Sequence, residues 1–167
     1  MKKLLLCPPT YYDIKYEINP WMSKDNPIDK NLAIEQYNTL TYAYDQLNVV
    51  YNELAPDKGL PDQVFTTDTG HAENKQFIKA NFKYDERKKE ADITADYFKD
   101  KGFKIHTLPK EAYFEGGDLL KYEDTYLFGW GKRSSRHAQT YIEQILDIDI
   151  VPIELPDDEF YHLDTCI

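Results

Sequence analysis

Three short segments of similar build recur along the chain: VFTTD ending at Asp68, FEGGD ending at Asp118 and FYHLD ending at Asp164. Each carries an aromatic residue shortly before its aspartate, and the aspartates stand 50 and 46 residues apart. A period near 50 marks one supersecondary unit repeated around an axis, as in a propeller or a solenoid, because such a unit cannot bury its apolar face alone.

The elements between these segments read as α/β. Residues 3–8 (KLLLCP) predict a short buried strand. Tyr37, Leu40, Tyr44, Leu47, Tyr51 and Leu54 alternate spacings of three and four, which predicts a long amphipathic helix closed by Pro56 and Gly59. The β-branched and aromatic run QVFTT (63–67) reads as a strand. Residues 85–101 predict a second helix that buries Ala91, Ala95 and Phe98, with Gly102 just past its end. A strand over 103–108 follows, then two strands joined by a turn at Glu123 and Asp124. Ser134 or Ser135 is the expected N-cap of a third helix burying Ala138, Ile142 and Ile145. DIVPIEL is a last strand, and FYHLD is expected to form another strand end.

Composition narrows the function. With 41% hydrophobic and 30% charged residues, the chain suits one globular domain over residues 1–167. A formal net charge of −10 argues against nucleic acid as a partner, since a phosphate binder needs a basic footprint. It is first of all a solubilising surface charge, and long-range attraction of cationic ligands is the other reading. Two cysteines, Cys7 and Cys166, make neither a disulfide framework nor a metal-ligand pattern. The apolar run from Leu4 to Cys7 is too short for a signal-peptide core, and no stretch reads as a membrane span, so a cytoplasmic location is expected.

If each unit brings an equivalent strand end to a common axis, the carboxylates converge. Asp68, Glu115 and Asp164, with His162, would then repel one another unless a cation lies between them. A metal and a guanidinium are the two natural candidates. A guanidinium presents five N–H donors in a planar fork that carboxylates accept two at a time, whereas zinc asks for more His or Cys than the chain offers. No metal and no cofactor are therefore expected. His162 and Asp164, two apart on a strand, would share a face and favour the charged imidazolium. Gly116 and Gly117 permit a close backbone approach, and Arg133, at the entrance to the third helix, could hold a carboxylate bidentately.

In these same segments the sequence resembles the amidinotransferase, arginine deiminase and dimethylargininase enzymes of the pentein superfamily. The matching stretches are CPPTYYDIKYEINPWM (7–22), LPDQVFTTDTG (60–70), FEGGDLL (114–120), LFGWGKRSS (127–135) and FYHLDTC (160–166), in family order and along the whole chain. The resemblance implies an α/β propeller of ββαβ units around a pseudo-fivefold axis, about three of five being present. It implies that Asp68 and Asp164 grip a guanidinium, that Glu115 is a second substrate-binding or catalytic acid, and that His162 is the general acid/base. Arg133 falls near the arginine that holds a substrate carboxylate, and Asp62 on a secondary polar position of the pocket. The implied chemistry is covalent attack by a cysteine thiolate on arginine or a related guanidine. The family places that cysteine well beyond the HLD motif, and Cys166 does not match it. The chain is accordingly expected to be an incomplete domain, inactive alone, with open strand edges that favour self-association or a partner chain. The other reading is a non-catalytic module that binds guanidinium.

Overall fold

The computed structural model describes residues 3–167, and the chain divides into two compact units, one ending at Thr66 and the other running Thr67–Ile167.

In the first unit, β1 (Leu4–Leu6) and β2 (Tyr51–Glu53) pair in parallel, Leu4 opposite Tyr51, with α1 (Lys30–Gln46) as the crossover between them. Asp29 caps α1, its carboxylate accepting from the N–H groups of Asn31 and Leu32. The helix stops far short of the predicted Leu54. Asn48 adopts the left-handed conformation, with φ of 54°, and the β-branched pair Val49 and Val50 leads into the strand. The apolar rhythm runs on through this turn, so periodicity alone cannot see the break. No residue of α1 is buried: Ala33, Tyr37, Thr41 and Tyr44 form a half-buried face, while Leu32, Leu40 and Leu47 are exposed. The Tyr37 hydroxyl donates to Glu53 of β2 over 2.5 Å.

The predicted strand at QVFTT is absent. The Gln63 side chain accepts from the Asp57 N–H at 2.7 Å and donates to the Ala55 carbonyl at 3.2 Å, and Phe65 N–H reaches Asp62 O at 3.0 Å. These local bonds offer the backbone an alternative to a sheet ladder, and a 3₁₀ turn follows at Thr66–Thr69.

The second unit contains one plan twice. In the first copy β3 (Gly70–Glu73) and β4 (Gln76–Lys79) form an antiparallel hairpin, α2 (Lys88–Asp100) crosses over, and β5 (Lys104–His106) returns parallel to β4. In the second, β6 (Leu119–Tyr122) and β7 (Thr125–Trp130) form the hairpin, α3 (Ala138–Leu146) crosses over, and β8 (Ile150–Glu154) pairs parallel with β7. The expected ββαβ repeat is thus present. Ala91 and Ala95 are buried on α2, Phe98 stacks on Phe77 with ring centroids 4.4 Å apart, and Gly102 ends the helix with φ of 76°. The main core joins Ile78, Phe114, Leu119, Phe128, Ile142 and Ile150.

Two expectations change at the segments between the strands. FEGGD and FYHLD end in 3₁₀ turns, Gly116–Asp118 and Leu163–Thr165, rather than in strands. Asp118 N–H reaches Glu115 O, and Thr165 N–H reaches His162 O, so Glu115 and His162 hold the same place in successive turns. Counting from the preceding aromatic residues, Phe65, Phe114 and Tyr161, Asp68 and Asp164 correspond to Gly117 and not to Asp118. The repeat is real, but the aspartates alone put its register one residue out. Likewise α3 starts at Ala138, after His137, with no side-chain cap bond. The hydroxyls expected to cap it are drawn inward, Ser135 to the Tyr113 carbonyl and Ser134 to Asp118.

No helix among the described residues is long and apolar enough to cross a membrane. Gly70, with φ of 148°, packs its Cα against Phe77, and an added Cβ would lie 2.5 Å from Phe77 Cζ. Gly70→Ala should therefore cost about 2–3 kcal/mol of unfolding free energy. Urea denaturation followed by circular dichroism would register this as a lower midpoint, and an unchanged midpoint would contradict it.

Candidate functional site

Asp68, Glu115, Arg133, His162 and Asp164 all belong to the second unit, whereas Asp62 is buried in the first. There, burial first and the charge of Asp62 second raise the pKa of the Tyr12 phenol.

The turn that carries Glu115 is fixed from both sides. Asn81 and Phe114 exchange backbone hydrogen bonds of 2.8 and 3.2 Å, and the Asn81 amide donates to the Pro109 and Ala112 carbonyls. Gly116 follows because a Cβ there would strike the backbone of Thr67 and Gly70. At Gly117 a Cβ would lie 2.7 Å from an Asp164 carboxylate oxygen. The pair of glycines thus lets neighbouring turns close on one another, as FEGGD suggested.

His162 sits between two carboxylates. Its Nε2 is 3.0 Å from Glu115 Oε2, and its Nδ1 is 3.5 Å from Asp68 Oδ1. All three residues are buried, Glu115 completely. Burial pulls the imidazole pKa down, but the Glu115 hydrogen bond and the charges of Asp68, Glu115 and Asp118 prevail and lift it to about 9. The ring is therefore favoured as an imidazolium at neutral pH, with Nε2 hydrogen-bonded to Glu115 and Nδ1 at ion-pair distance from Asp68. Burial would raise the Glu115 pKa, yet the His162 hydrogen bond and the charges of Arg133, His162 and Arg87 hold it below the usual carboxylate range.

The cations that make this carboxylate cluster tolerable come from the chain itself. Arg87, buried, donates from Nη1 to Asp68 Oδ2 at 2.6 Å and from Nε and Nη2 to Glu90 Oε2 at 3.0 and 2.8 Å. Its guanidinium lies 4.7 Å from the Phe82 ring centroid. Arg133 donates from Nη1 to both Glu115 oxygens, at 3.2 and 2.9 Å, between the rings of Tyr84 and Tyr161. Sequence reasoning placed Arg133 near the site but missed Arg87 and Glu90, which lie in a charged run that looks solvated. Their i, i+3 spacing, which pairs opposite charges on a helix face, was the available signal.

Asp118 was also left out of the predicted set. It is buried, with Oδ1 accepting from the Leu163 N–H at 3.0 Å and Oδ2 accepting from the Ser134 hydroxyl at 2.6 Å. Ser134 Oγ in turn accepts from the Glu115 N–H at 3.0 Å. Burial raises the Asp118 pKa to about 7. Asp164 is exposed on its turn and does not share a strand face with buried His162, contrary to expectation. Partial enclosure and the charge of Asp68 raise its pKa.

Ligand atoms of Asp68, Glu115 and His162 lie within 4.8 Å of one another, close enough for a metal ion. Both carboxylates are also paired within the chain, Asp68 with Arg87 and Glu115 with Arg133. The arrangement is that of a buried acid flanked by carboxylates that bind guanidinium groups.

No family model matches the chain. The bifunctional arginine dihydrolase/ornithine cyclodeaminase AgrE of Nostoc sp. is 36% identical over 98% of this chain and 24% of its own length. The N(G),N(G)-dimethylarginine dimethylaminohydrolase of Mycobacterium tuberculosis is 31% identical over 99% of this chain and 55% of its own. Among solved structures, an AgrE variant in complex with L-arginine superposes with a TM-score of 0.95 at 34% identity, covering 99% of this chain and 26% of that one. The substrate-bound N-terminal domain of the cyanobacterial arginine dihydrolase ArgZ gives 0.92 at 35% identity, covering 98% and 62%. The chain's homologues are thus guanidine-modifying enzymes of the pentein superfamily, and it matches their N-terminal part. It spans between 24% and 60% of the length of the curated relatives it matches.

His162 supplies a measurable consequence. Its pKa is raised from an ordinary 6.5 to about 9, so it stabilises the fold fully below pH 6.5 and loses that contribution as pH rises through 9. Nuclear magnetic resonance of the imidazole should show a midpoint near 9, with about 3 kcal/mol of stability lost across the window. Glu115→Gln should bring the midpoint down, since burial then meets less opposition. A wild-type midpoint at or below the ordinary value would contradict the ion-pair assignment.

Proposed function

We propose that this chain forms the guanidinium-binding and proton-donating part of an enzyme that acts on arginine or a related guanidino compound, as an arginine dihydrolase or deiminase, a dimethylargininase or an amidinotransferase does. The observation that carries the reading is the doubly flanked imidazolium: a buried acid, charged at neutral pH, set among carboxylates that already hold two guanidinium groups of the chain itself. Homology to enzymes of this chemistry supports it.

In this reading a cysteine thiolate of the complete protein attacks the guanidinium carbon, and His162 gives its proton to the departing nitrogen, then activates water or an acceptor amine. One solved structure of the ArgZ domain is described as covalently bound to a reaction intermediate, consistent with such a course. Asp68 and Asp164 hold the substrate guanidinium, with Glu115 keeping His162 charged and in place. Arg133 orients the substrate carboxylate from its position on Glu115. Residues 1–167 form part of one pentein domain, whose ββαβ units surround a pseudo-fivefold axis, in a cytoplasmic protein.

Calorimetric titration tests the ligand class. L-Arginine is expected to bind and L-lysine, whose ammonium lacks the planar fork, to bind more weakly. Asp68→Asn should weaken arginine binding about tenfold, or about 1.4 kcal/mol. Equal affinity for arginine and lysine would sink the reading.

A further inference from the structure

Beside the predicted site residues, the second unit buries a two-residue device that bonds to the backbone of Glu115 and of Leu163, the neighbour of His162. The Ser134 hydroxyl accepts from the Glu115 N–H and donates to Asp118 Oδ2. Asp118 Oδ1 accepts from the Leu163 N–H, adjacent to His162. One hydroxyl and one carboxylate therefore bridge the backbone of the turn carrying Glu115 to the backbone of the turn carrying His162. Both side chains are almost fully buried, at 1% exposure each.

The last of the three turns is built differently. Asp118 occupies the place held by Thr69 and Thr165, and the Thr165 hydroxyl bonds only within its own turn, to the His162 carbonyl. An aspartate at this place reaches across to the next turn, and the cost of burying it is offset by its two donors, the Leu163 N–H and the Ser134 hydroxyl. Gly129 leaves room for it, since a Cβ there would come within 2.9 Å of Asp118 Oδ1. The geometry also explains why Ser134 does not cap α3.

We propose that Asp118 and Ser134 are positioning residues that set the spacing and alignment of the Glu115–His162 pair. The catalytic sense of this rests on the function proposed above, but the spacing itself does not. The charges of Glu115, Asp68, Asp118 and Asp164 act on His162, and Arg87 and Arg133 pair with its partners. Asp118→Asn removes the Asp118 charge while keeping its acceptor, and Ser134→Ala cuts the bridge while keeping that charge, so together they separate alignment from charge.

The experiment reads His162 directly, by resonance titration of its imidazole in the protein and in three variants. Asp118→Ala breaks the bridge and should lower the His162 midpoint by about one unit, because the Glu115 hydrogen bond lengthens while burial persists. Asp118→Asn keeps an acceptor for the Leu163 N–H and a polar contact for Ser134, so it should recover most of that loss. Ser134→Ala cuts the bridge at the other residue and should shift the midpoint in the same direction as Asp118→Ala. It serves as the deciding variant if Asp118→Ala fails to fold. The proposal is overturned if folded variants that break the bridge titrate as wild type, or if Asp118→Asn falls as far as Asp118→Ala, which would make the effect one of charge. Turnover of arginine by the complete protein carrying the same substitutions, as a loss in kcat larger than the change in KM, adds the catalytic half. Absence of turnover in the complete unsubstituted protein would count against the proposed function and leave the titration result standing.

Discussion

A carboxylate with no exposed surface must be paired, and Glu115 is the group around which the second unit is arranged. Left alone in an apolar interior it would take up a proton or unfold its surroundings. It is kept ionised by His162 on one side and Arg133 on the other, and His162 is kept charged by Glu115 and Asp68. Asp68 is in turn balanced by Arg87, which Glu90 anchors to the start of α2. Charges of alternating sign thus run from helix to turn to turn, and each is tolerable only because the next is present. The bare electrostatics of the predicted site, several acids and one imidazole, would have been unstable. The structure resolves this by recruiting two arginines before any ligand arrives.

Much of the fold was legible in the sequence, for identifiable reasons. The hairpin at Glu123 and Asp124, the helices α2 and α3, and the strands β5 and β8 follow from apolar periodicity and turn chemistry that agree with one another, whereas the hairpin of β3 and β4 was not anticipated. The errors arise where a local signal continued past a conformational break. The three-and-four spacing of α1 runs on across Asn48, whose left-handed backbone ends the helix. The β-branched run at 63–67 is held in turns by Gln63, a side chain whose two hydrogen bonds are invisible to propensity. Ser134 and Ser135 look like caps because caps are what serines before helices usually are, and here buried acceptors compete for them.

The site was legible in its acids and its imidazole but not in its counter-charges. Glu115, Asp68 and His162 converge as expected, and Gly116 and Gly117 do provide the close approach. Arg87 and Asp118 were passed over for opposite reasons. Arg87 lies in a run of charged residues that reads as solvent-facing. Asp118 was noticed, but as a repeat marker, and the one-residue error in register hid the difference between it and Asp68. The hydrogen bonds closing the 3₁₀ turns, together with the count from Phe65, Phe114 and Tyr161, reveal which positions are equivalent.

Those equivalent positions make the site a product of gearing between modules. Glu115 and His162 stand at the same tooth of two successive turns, so their separation is set by the angle between those turns rather than by either turn alone. A small rotation of one module would open or close the carboxylate–imidazole gap, as a caliper translates a twist at its pivot into a displacement at its tips. Substitutions far from the ring, in the aromatic layer between β4 and α2 or beneath β7, therefore have a mechanical route to its acidity. A repeat protein of this kind can tune a proton without altering any residue that touches it.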